Sequence, residues 1–116
     1  MMCKSKIHHA QVTQANVFYQ GSITIDRDLM DAALLLPFER VQVASLKSGQ
    51  RLETYVIEGE RGSGIIGMNG AAAKLIKKGE TVHIISYAMY PTEEAMKLQP
   101  AIVHLDKKNR IQRSSK

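Results

Sequence analysis

The sequence predicts a small, mainly β domain, a barrel of about six or seven short strands with two or three short helices. Apolar and β-branched residues recur in short runs such as 81–88, and glycine, proline and asparagine turns separate these runs, a pattern typical of short strands. The chain has 116 residues, of which 44% are hydrophobic and 23% charged, as expected for one globular domain. The pattern alone does not separate an OB-like barrel from a sandwich or another small barrel.

The predicted strands follow one another at short intervals along the chain. Their bounds are 4–12, 22–25, 40–45, 51–57, 65–68, 81–88 and 101–105, with a further short extended piece at 17–19. The predicted helices are 28–35, capped by Asp26 and stopped by Pro37, then 71–76, and finally 92–98, capped by Thr92. The chain shows no repeat, linker or low-complexity stretch, so residues 1–116 are expected to form a single domain.

Side-chain alternation in two of these strands bears on a possible site. In the first strand, Lys6 and His8 share one face. In the strand 51–57, Arg51 and Tyr55 share one face while Thr54 points to the other. If these three residues serve one site, the strand must twist or bulge there.

The net charge of +5 is compatible with nucleic acid, with anionic substrates or with solubility alone. Much of it comes from the basic segment 107–116, and the remainder of the chain is near neutral. We therefore expect this segment to be a solvated, partly disordered end.

The apolar runs and the cysteine content bear on location. Charges interrupt the longest apolar runs, so no membrane-spanning segment is predicted, and the first residues lack the apolar stretch of a signal peptide. Cys3 is the one cysteine and cannot form an internal disulfide. The expected location is therefore a reducing cytoplasm.

One short motif, Tyr19-Gln20-Gly21-Ser22, carries candidate chemistry. The serine hydroxyl lies one residue downstream of a glycine carbonyl that no side chain shields. Attack of the hydroxyl on that carbonyl would form an ester, and loss of the serine Cα proton would expel the ester by elimination. The dehydroalanine that remains would hydrolyse to a pyruvoyl group. By itself the dipeptide indicates only a turn, and Gly62-Ser63 is a second copy.

Further segments appear in order around this motif. They are Lys4-Ser5-Lys6-Ile7-His8, Ile23-Thr24-Ile25-Asp26, Leu29-Met30-Asp31-Ala32-Ala33, Thr54-Tyr55-Val56-Ile57, Glu60-Arg61-Gly62-Ser63-Gly64 and Met68-Asn69-Gly70-Ala71-Ala72-Ala73. Together with the Gly21-Ser22 motif they resemble the pyruvoyl-dependent aspartate 1-decarboxylases of bacteria. The resemblance runs over nearly the whole chain at near-constant spacing, which makes it far more specific than any one motif.

The resemblance implies a double-psi β-barrel that assembles as a homotetramer, with active sites between neighbouring subunits. It implies self-cleavage of the Gly21–Ser22 bond into a β chain, 1–21, and an α chain, 22–116, that begins with a pyruvoyl (pyruvic acid) group derived from Ser22. The implied reaction is decarboxylation of L-aspartate to β-alanine for pantothenate and coenzyme A biosynthesis. The expected partners are L-aspartate and copies of this chain, with an accessory processing protein as an open alternative.

An α-amino acid decarboxylase needs an electron sink, which is usually pyridoxal phosphate. This chain has no strand-to-helix phosphate loop of adequate length, so pyridoxal phosphate is not expected. A pyruvoyl carbonyl, which forms a Schiff base with the substrate amine and withdraws electrons, does the same job in a few atoms.

The resemblance also implies roles for particular residues. Thr54 helps to polarise the Gly21 carbonyl during cleavage, as an oxyanion donor does. Tyr55 returns a proton to the carbanion, since a phenol is neutral at pH 7. The implied substrate-binding residues are Arg51, Lys6, Thr54, Asn69, Gly70 and Ala71, with His8 and Tyr19 in supporting positions. In isolation, each of these would be interpreted as an ordinary strand, core or turn residue.

The sequence departs from the family pattern at three positions. Gln20 stands where the family usually has Glu, His9 stands where Arg is usual, and Gly67 replaces a small side chain. The loss of a carboxylate at Gln20 is expected to alter the charge beside the scissile bond. No residue assigned an essential role is missing.

Three other functions were weighed against the decarboxylase. No metal site is expected, because His8, His9, His83 and His104 show no paired spacing with carboxylates or thiols of the usual kinds. A small basic barrel that binds nucleic acid would need clustered aromatics, and the chain has only 5% aromatic residues. The remaining alternative is a paralogue that keeps the barrel but has lost cleavage. Neither nucleic acid nor a membrane is expected as a partner of this chain.

Overall fold

Nine strands and three short helices follow one another along residues 1–115, the part of the chain that the computed structural model describes. The strands are β1 (Met2–Gln11), β2 (Gln14–Asn16), β3 (Ser22–Asp26), β4 (Arg40–Ser45), β5 (Arg51–Gly59), β6 (Ile66–Asn69), β7 (Thr81–Ala88), β8 (Ala101–Leu105) and β9 (Ile111–Ser115). The helices are α1 (Arg27–Ala32), α2 (Ala72–Leu75) and α3 (Thr92–Ala95). No helix in this part of the chain is long and apolar enough to cross a membrane.

All nine strands form one sheet in the order β2-β6-β3-β5-β4-β7-β1-β8-β9. Three neighbouring pairs are parallel, namely β1 with β8, β2 with β6 and β3 with β5. Aliphatic side chains from both ends of this order form one core, so the sheet curves around that core. The sequence-based expectation of a small, mainly β barrel-like fold is confirmed.

Several of the sequence-based boundaries were wrong: α1 ends at Ala32 rather than at residue 35, and α3 ends at Ala95 rather than at residue 98. The extended piece expected at 17–19 lies earlier, in β2, because the Asn16 side chain accepts a hydrogen bond from Phe18 N at 3.0 Å and turns the chain there. Thr92 does not cap α3, but is its first helical residue after Pro91. By contrast, the bounds of β4, β7 and β8 agree with the prediction.

The basic end of the chain forms β9 rather than a disordered tail. Asp106 accepts hydrogen bonds from Lys108 N and Arg110 N, at 2.8 and 2.9 Å, and so reverses the chain after β8. The segment Ile111–Ser115 then pairs antiparallel with β8 at the edge of the sheet. The positive charge of this segment did not prevent its pairing with β8, because the side chains of an edge strand can face water. Lys116, the last residue of the predicted tail, lies outside the described residues.

A bulge in β1 changes which residues share a face. Between Ile7 and Ala10, β1 advances three residues while β7 advances two, and His9 takes a φ of 62°. Ile7 and Ala10 are both fully buried as a result. Plain alternation would place Lys6, His8 and Ala10 on one face of β1. Because of the bulge, Ala10 instead shares the buried face with Ile7.

The predicted cap at Asp26 is confirmed, and it does more than begin α1. Its buried carboxylate accepts hydrogen bonds from Asp28 N, at 2.8 Å, and from Gly62 N and Gly64 N, at 3.1 and 2.8 Å. One side chain thus joins the start of α1 to the glycine-rich loop that precedes β6.

We expect Asp26→Ala to lower the free energy of unfolding by about 2–4 kcal/mol, because a cap is lost and two loop N–H groups lose their acceptor. Urea denaturation of the variant would measure this loss. Asp28→Ala is the matched control, since the exposed Asp28 makes only a surface ion pair with Arg61 and should cost less than about 1 kcal/mol. Equal losses in both variants would contradict the role of Asp26.

Candidate active site

The Gly21–Ser22 peptide lies where the turn after β2 enters β3. Gly21 is exposed, whereas Ser22 is fully buried. The Ser22 hydroxyl donates to the carbonyl of Gln20 at 3.3 Å and accepts from Asn69 Nδ2 at 3.0 Å. The hydroxyl is thus held in place beside the peptide bond that the sequence analysis identified.

Asn69 orients this hydroxyl from the end of β6. Ser22 and Asn69 are directly paired across the antiparallel β3–β6 ladder. The second hydrogen bond from Asn69 Nδ2 runs to Thr24 Oγ1 at 2.9 Å, so the amide group is fixed by two hydroxyls on one face of β3. Thr24 was missed by the sequence analysis, although its spacing of two residues from Ser22 is the signal for a shared strand face.

Gly70 brings the loop after β6 against the scissile segment. It adopts a φ of +68°, and an added Cβ would lie 2.7 Å from Gly21 Cα and 2.8 Å from Gly21 N. Its own N–H donates to the Asn16 carbonyl at 2.8 Å. Only glycine therefore fits between the two chain segments at this point.

We expect Gly70→Ala to keep the fold but to slow any reaction at the Gly21–Ser22 bond by about a hundredfold, since it pushes Gly21 out of position. A time course of chain cleavage on denaturing gels would measure the rate. Gly49→Ala is a matched control, because Gly49 has a similar φ of +75° and no neighbour within 4 Å of an added Cβ. An unchanged rate in Gly70→Ala would rule out the close approach as a requirement.

An open cleft of about 400 Å³ lies beside the scissile bond. Gly21, Thr54, Tyr55 and Ala71 contribute to its lining, with Leu52, Glu53, Ala72 and Leu75. The parallel β3–β5 ladder begins at the pair Ile23 and Val56, and Gly21 and Thr54, just before this pair on each segment, both line the cleft. The structure therefore brings seven of the predicted residues together: Gly21, Ser22, Thr54, Tyr55, Asn69, Gly70 and Ala71.

Three predicted residues lie elsewhere in the single chain. Arg51 does not line the cleft and donates to Gln42 Oε1 on β4 at 3.0 Å. The β4–β5 ladder has no register shift, so the bulge that would have turned Arg51 toward Thr54 does not form. Lys6 and His8 belong to β1, which β5, β4 and β7 separate from β3 in the sheet. The Tyr19 carbonyl oxygen packs against Gly70 beside the scissile bond. The residue as a whole is 64% exposed.

His8 lies instead in a group of imidazoles that we call the histidine cluster: His8, His9, His83 and His104. The ring centroid of His8 is 3.9 Å from that of His9, 4.2 Å from that of His83 and 5.0 Å from that of His104. The pKa of His83 is lowered to about 4, mainly by burial and secondly by the positive charge of Lys6. Burial also lowers the pKa of His8 and of His104. Sequence spacing did not reveal the cluster because its members come from β1, β7 and β8.

Comparison with known proteins identifies relatives across nearly the whole chain. Residues 1–112 match the family model described as aspartate decarboxylase. The chain is 54% identical over 110 residues to aspartate 1-decarboxylase of Acetivibrio thermocellus, covering 95% of this chain and 87% of that protein. It is 56% identical over 110 residues to aspartate 1-decarboxylase of Pelotomaculum thermopropionicum, covering 95% and 83%.

A solved structure supports the fold assignment. The crystal structure of the rationally designed mkDPBB_sym_86 protein superimposes with a TM-score of 0.51 at 14% identity, covering 71% of this chain and 95% of the designed one. The designed protein is a double-psi β-barrel. The double-psi β-barrel fold predicted from the sequence is therefore confirmed.

Proposed function

Because this chain belongs to the aspartate decarboxylase family, we propose that it removes one carboxylate of L-aspartate as carbon dioxide and releases β-alanine, a precursor of pantothenate and coenzyme A. One structural observation supports the proposal independently of the similarity to known decarboxylases. The Gly21–Ser22 bond lies at a cleft, and Asn69 holds the Ser22 hydroxyl beside it. The nucleic-acid alternative has no such support, and family membership favours the enzyme.

The residues around Ser22 fit the formation of a pyruvoyl group there. The Ser22 oxygen attacks the Gly21 carbonyl carbon, the C–N bond breaks, and the freed nitrogen takes the hydroxyl proton. Loss of the Ser22 Cα proton then expels the Gly21 carboxylate, and water hydrolyses the resulting dehydroalanine to the ketone with release of ammonia. The fragments produced are 1–21 and 22–116.

The chain supplies the groups that these steps need. Asn69 Nδ2 donates to the Ser22 oxygen at 3.0 Å and orients it. Thr54 lines the cleft next to Gly21, where its hydroxyl can donate to the oxyanion of the tetrahedral intermediate. The buried position of Ser22 limits the access of water to the intermediate ester.

When formed, the pyruvoyl group supplies the electron sink for decarboxylation. Tyr55, on the wall of the same cleft, is suited to hold and return the proton that replaces the departing carboxylate. The exposed Ala71, on the wall of the same cleft, offers its backbone N–H to an anion, whereas the buried Gly70 N–H is already bonded to the Asn16 carbonyl.

The positions of Lys6 and Arg51 support an assembly with shared sites. A dicarboxylate is best held by two cations, yet neither Lys6 nor Arg51 lines the Ser22 cleft of its own chain. A neighbouring copy can supply these cations. Several large apolar side chains are also exposed on the single chain, among them Phe18 at 95% and Phe38 at 77%. We therefore include a homotetramer with sites between subunits in the proposal.

The test uses purified full-length chain incubated with L-aspartate. Mass spectrometry should find the fragments 1–21 and 22–116, the larger one with a ketone in place of its amino terminus, and chromatography should find β-alanine. Sedimentation should give four copies per particle. An intact 12.9 kDa chain that forms no β-alanine after prolonged incubation would refute the proposal.

A further inference from the structure

The histidine cluster has the composition and spacing of a metal site. One ligand atom from each of His8, His9 and His83 can be chosen such that all three lie within 4.8 Å of one another. Two nitrogens bound to one ion at about 2.05 Å in tetrahedral geometry are about 3.3 Å apart. Small side-chain rotations would therefore bring these three imidazoles onto one ion.

The bulge in β1 creates this arrangement. Consecutive strand residues ordinarily point to opposite faces of a sheet, but the positive φ of His9 turns its ring to within 3.9 Å of that of His8. A positive φ is unusual outside glycine, and strained backbone of this kind concentrates at functional sites. The bulge therefore places two neighbouring imidazoles side by side, opposite His83 on β7.

His83 gives an independent indication of a missing partner. Its Nε2 atom is buried and makes no hydrogen bond within the described residues. Buried polar atoms are nearly always paired, and an exception needs an explanation. A metal ion bound to this nitrogen would satisfy it.

We propose that His8, His9 and His83 bind a divalent late first-row transition metal ion, of the kind represented by Zn²⁺ and Ni²⁺, with water in the remaining position. Imidazole nitrogen is a favoured ligand of these ions, whereas Mg²⁺ and Ca²⁺ prefer oxygen. Lys6, Arg51 and Arg113 contribute positive charge around the cluster, which weakens binding of a cation relative to a site with acidic neighbours. This proposal replaces the sequence-based expectation that the chain has no metal site. It shares His8 with the proposed decarboxylase site, but its test measures metal binding, so the two proposals can fail separately.

The test is isothermal titration of the full chain, prepared without a polyhistidine tag, with Zn²⁺ alone and with Ni²⁺ alone. We expect about one ion per chain and at least about tenfold weaker binding in His83→Ala and in His9→Asn. Asparagine is chosen for His9 because it tolerates positive φ. The side chains of His9 and His83 make no hydrogen bond within residues 1–115, so both variants should fold, and circular dichroism would verify this.

Two further measurements make the result specific. Cys3→Ser should bind like the unmodified chain, because Cys3 is the only thiol in the sequence and is not part of the cluster. Addition of Co²⁺ should give the visible absorption of a tetrahedral nitrogen-ligated ion, and His83→Ala should abolish it. Absence of binding, or binding that is lost in Cys3→Ser but kept in His83→Ala, would overturn the proposal.

Discussion

Ser22→Ala will leave the chain uncleaved and inactive. Without the hydroxyl there is no nucleophile to attack the Gly21 carbonyl, and without cleavage there is no pyruvoyl group. The hydroxyl makes hydrogen bonds only to Gln20 and Asn69 within the described residues, so its loss should cost about 1–3 kcal/mol of stability and not the fold. Gel analysis and a β-alanine assay measure the two effects separately.

The second Gly-Ser pair provides the matched control for this experiment. Ser63 also follows a glycine, but it lies in an exposed loop, where its hydroxyl donates to the Glu60 carbonyl at 2.6 Å. Ser63→Ala should therefore be cleaved and active at the rate of the unmodified chain. Production of β-alanine by Ser22→Ala, or loss of cleavage in Ser63→Ala, would contradict the assignment of the scissile bond.

Thr54→Val will stop or greatly slow cleavage without unfolding the protein. Valine has nearly the shape of threonine and suits a strand, and the Thr54 hydroxyl makes no side-chain hydrogen bond in residues 1–115 that the exchange would break. Loss of one oxyanion donor typically lowers a rate by about 10²–10³. A cleavage time course followed by mass spectrometry would show the effect.

Tyr55→Phe separates the two reactions that share the cleft. It removes the neighbouring hydroxyl, which we assign to proton return during turnover and not to cleavage. The variant should be cleaved normally, while kcat for aspartate falls by about 10²–10⁴. Complete cleavage of Thr54→Val, or uncleaved Tyr55→Phe, would show that the two roles are assigned incorrectly.

Local patterns in the sequence were sufficient for most of the fold. Runs such as 81–88 and the cap at Asp26 depend on neighbours along the chain, and both were predicted correctly. The strand β9 was missed because its stability comes from pairing with β8, while composition reports only charge. The bulge at His9 could not be predicted, since it arises from the opposing strand β7.

The candidate site divides in the same way. The resemblance identified Ser22, Asn69 and Thr54, which the structure then brings to one cleft or one hydrogen-bonded group. It did not indicate that three strands would separate Lys6 on β1 from Ser22 on β3 within one chain, because matching positions in a sequence carry no distances between them. The contacts between the histidines could likewise not be predicted from their spacing in the sequence, because these residues lie on three different strands.

The strand order has a consequence for the molecule if the Gly21–Ser22 bond is cut as proposed. The fragment 1–21 carries β1, whose Ile7 and Ala10 are fully buried in the core and whose edges pair with β7 and β8. In the uncut chain, folding of one barrel is a unimolecular event. After cleavage at the proposed bond, refolding of the same barrel would become a bimolecular encounter of fragments 1–21 and 22–116 that slows on dilution. The proposed cleavage would thus make refolding of each barrel dependent on concentration, and a molecule that lost its short fragment would lose part of its hydrophobic core.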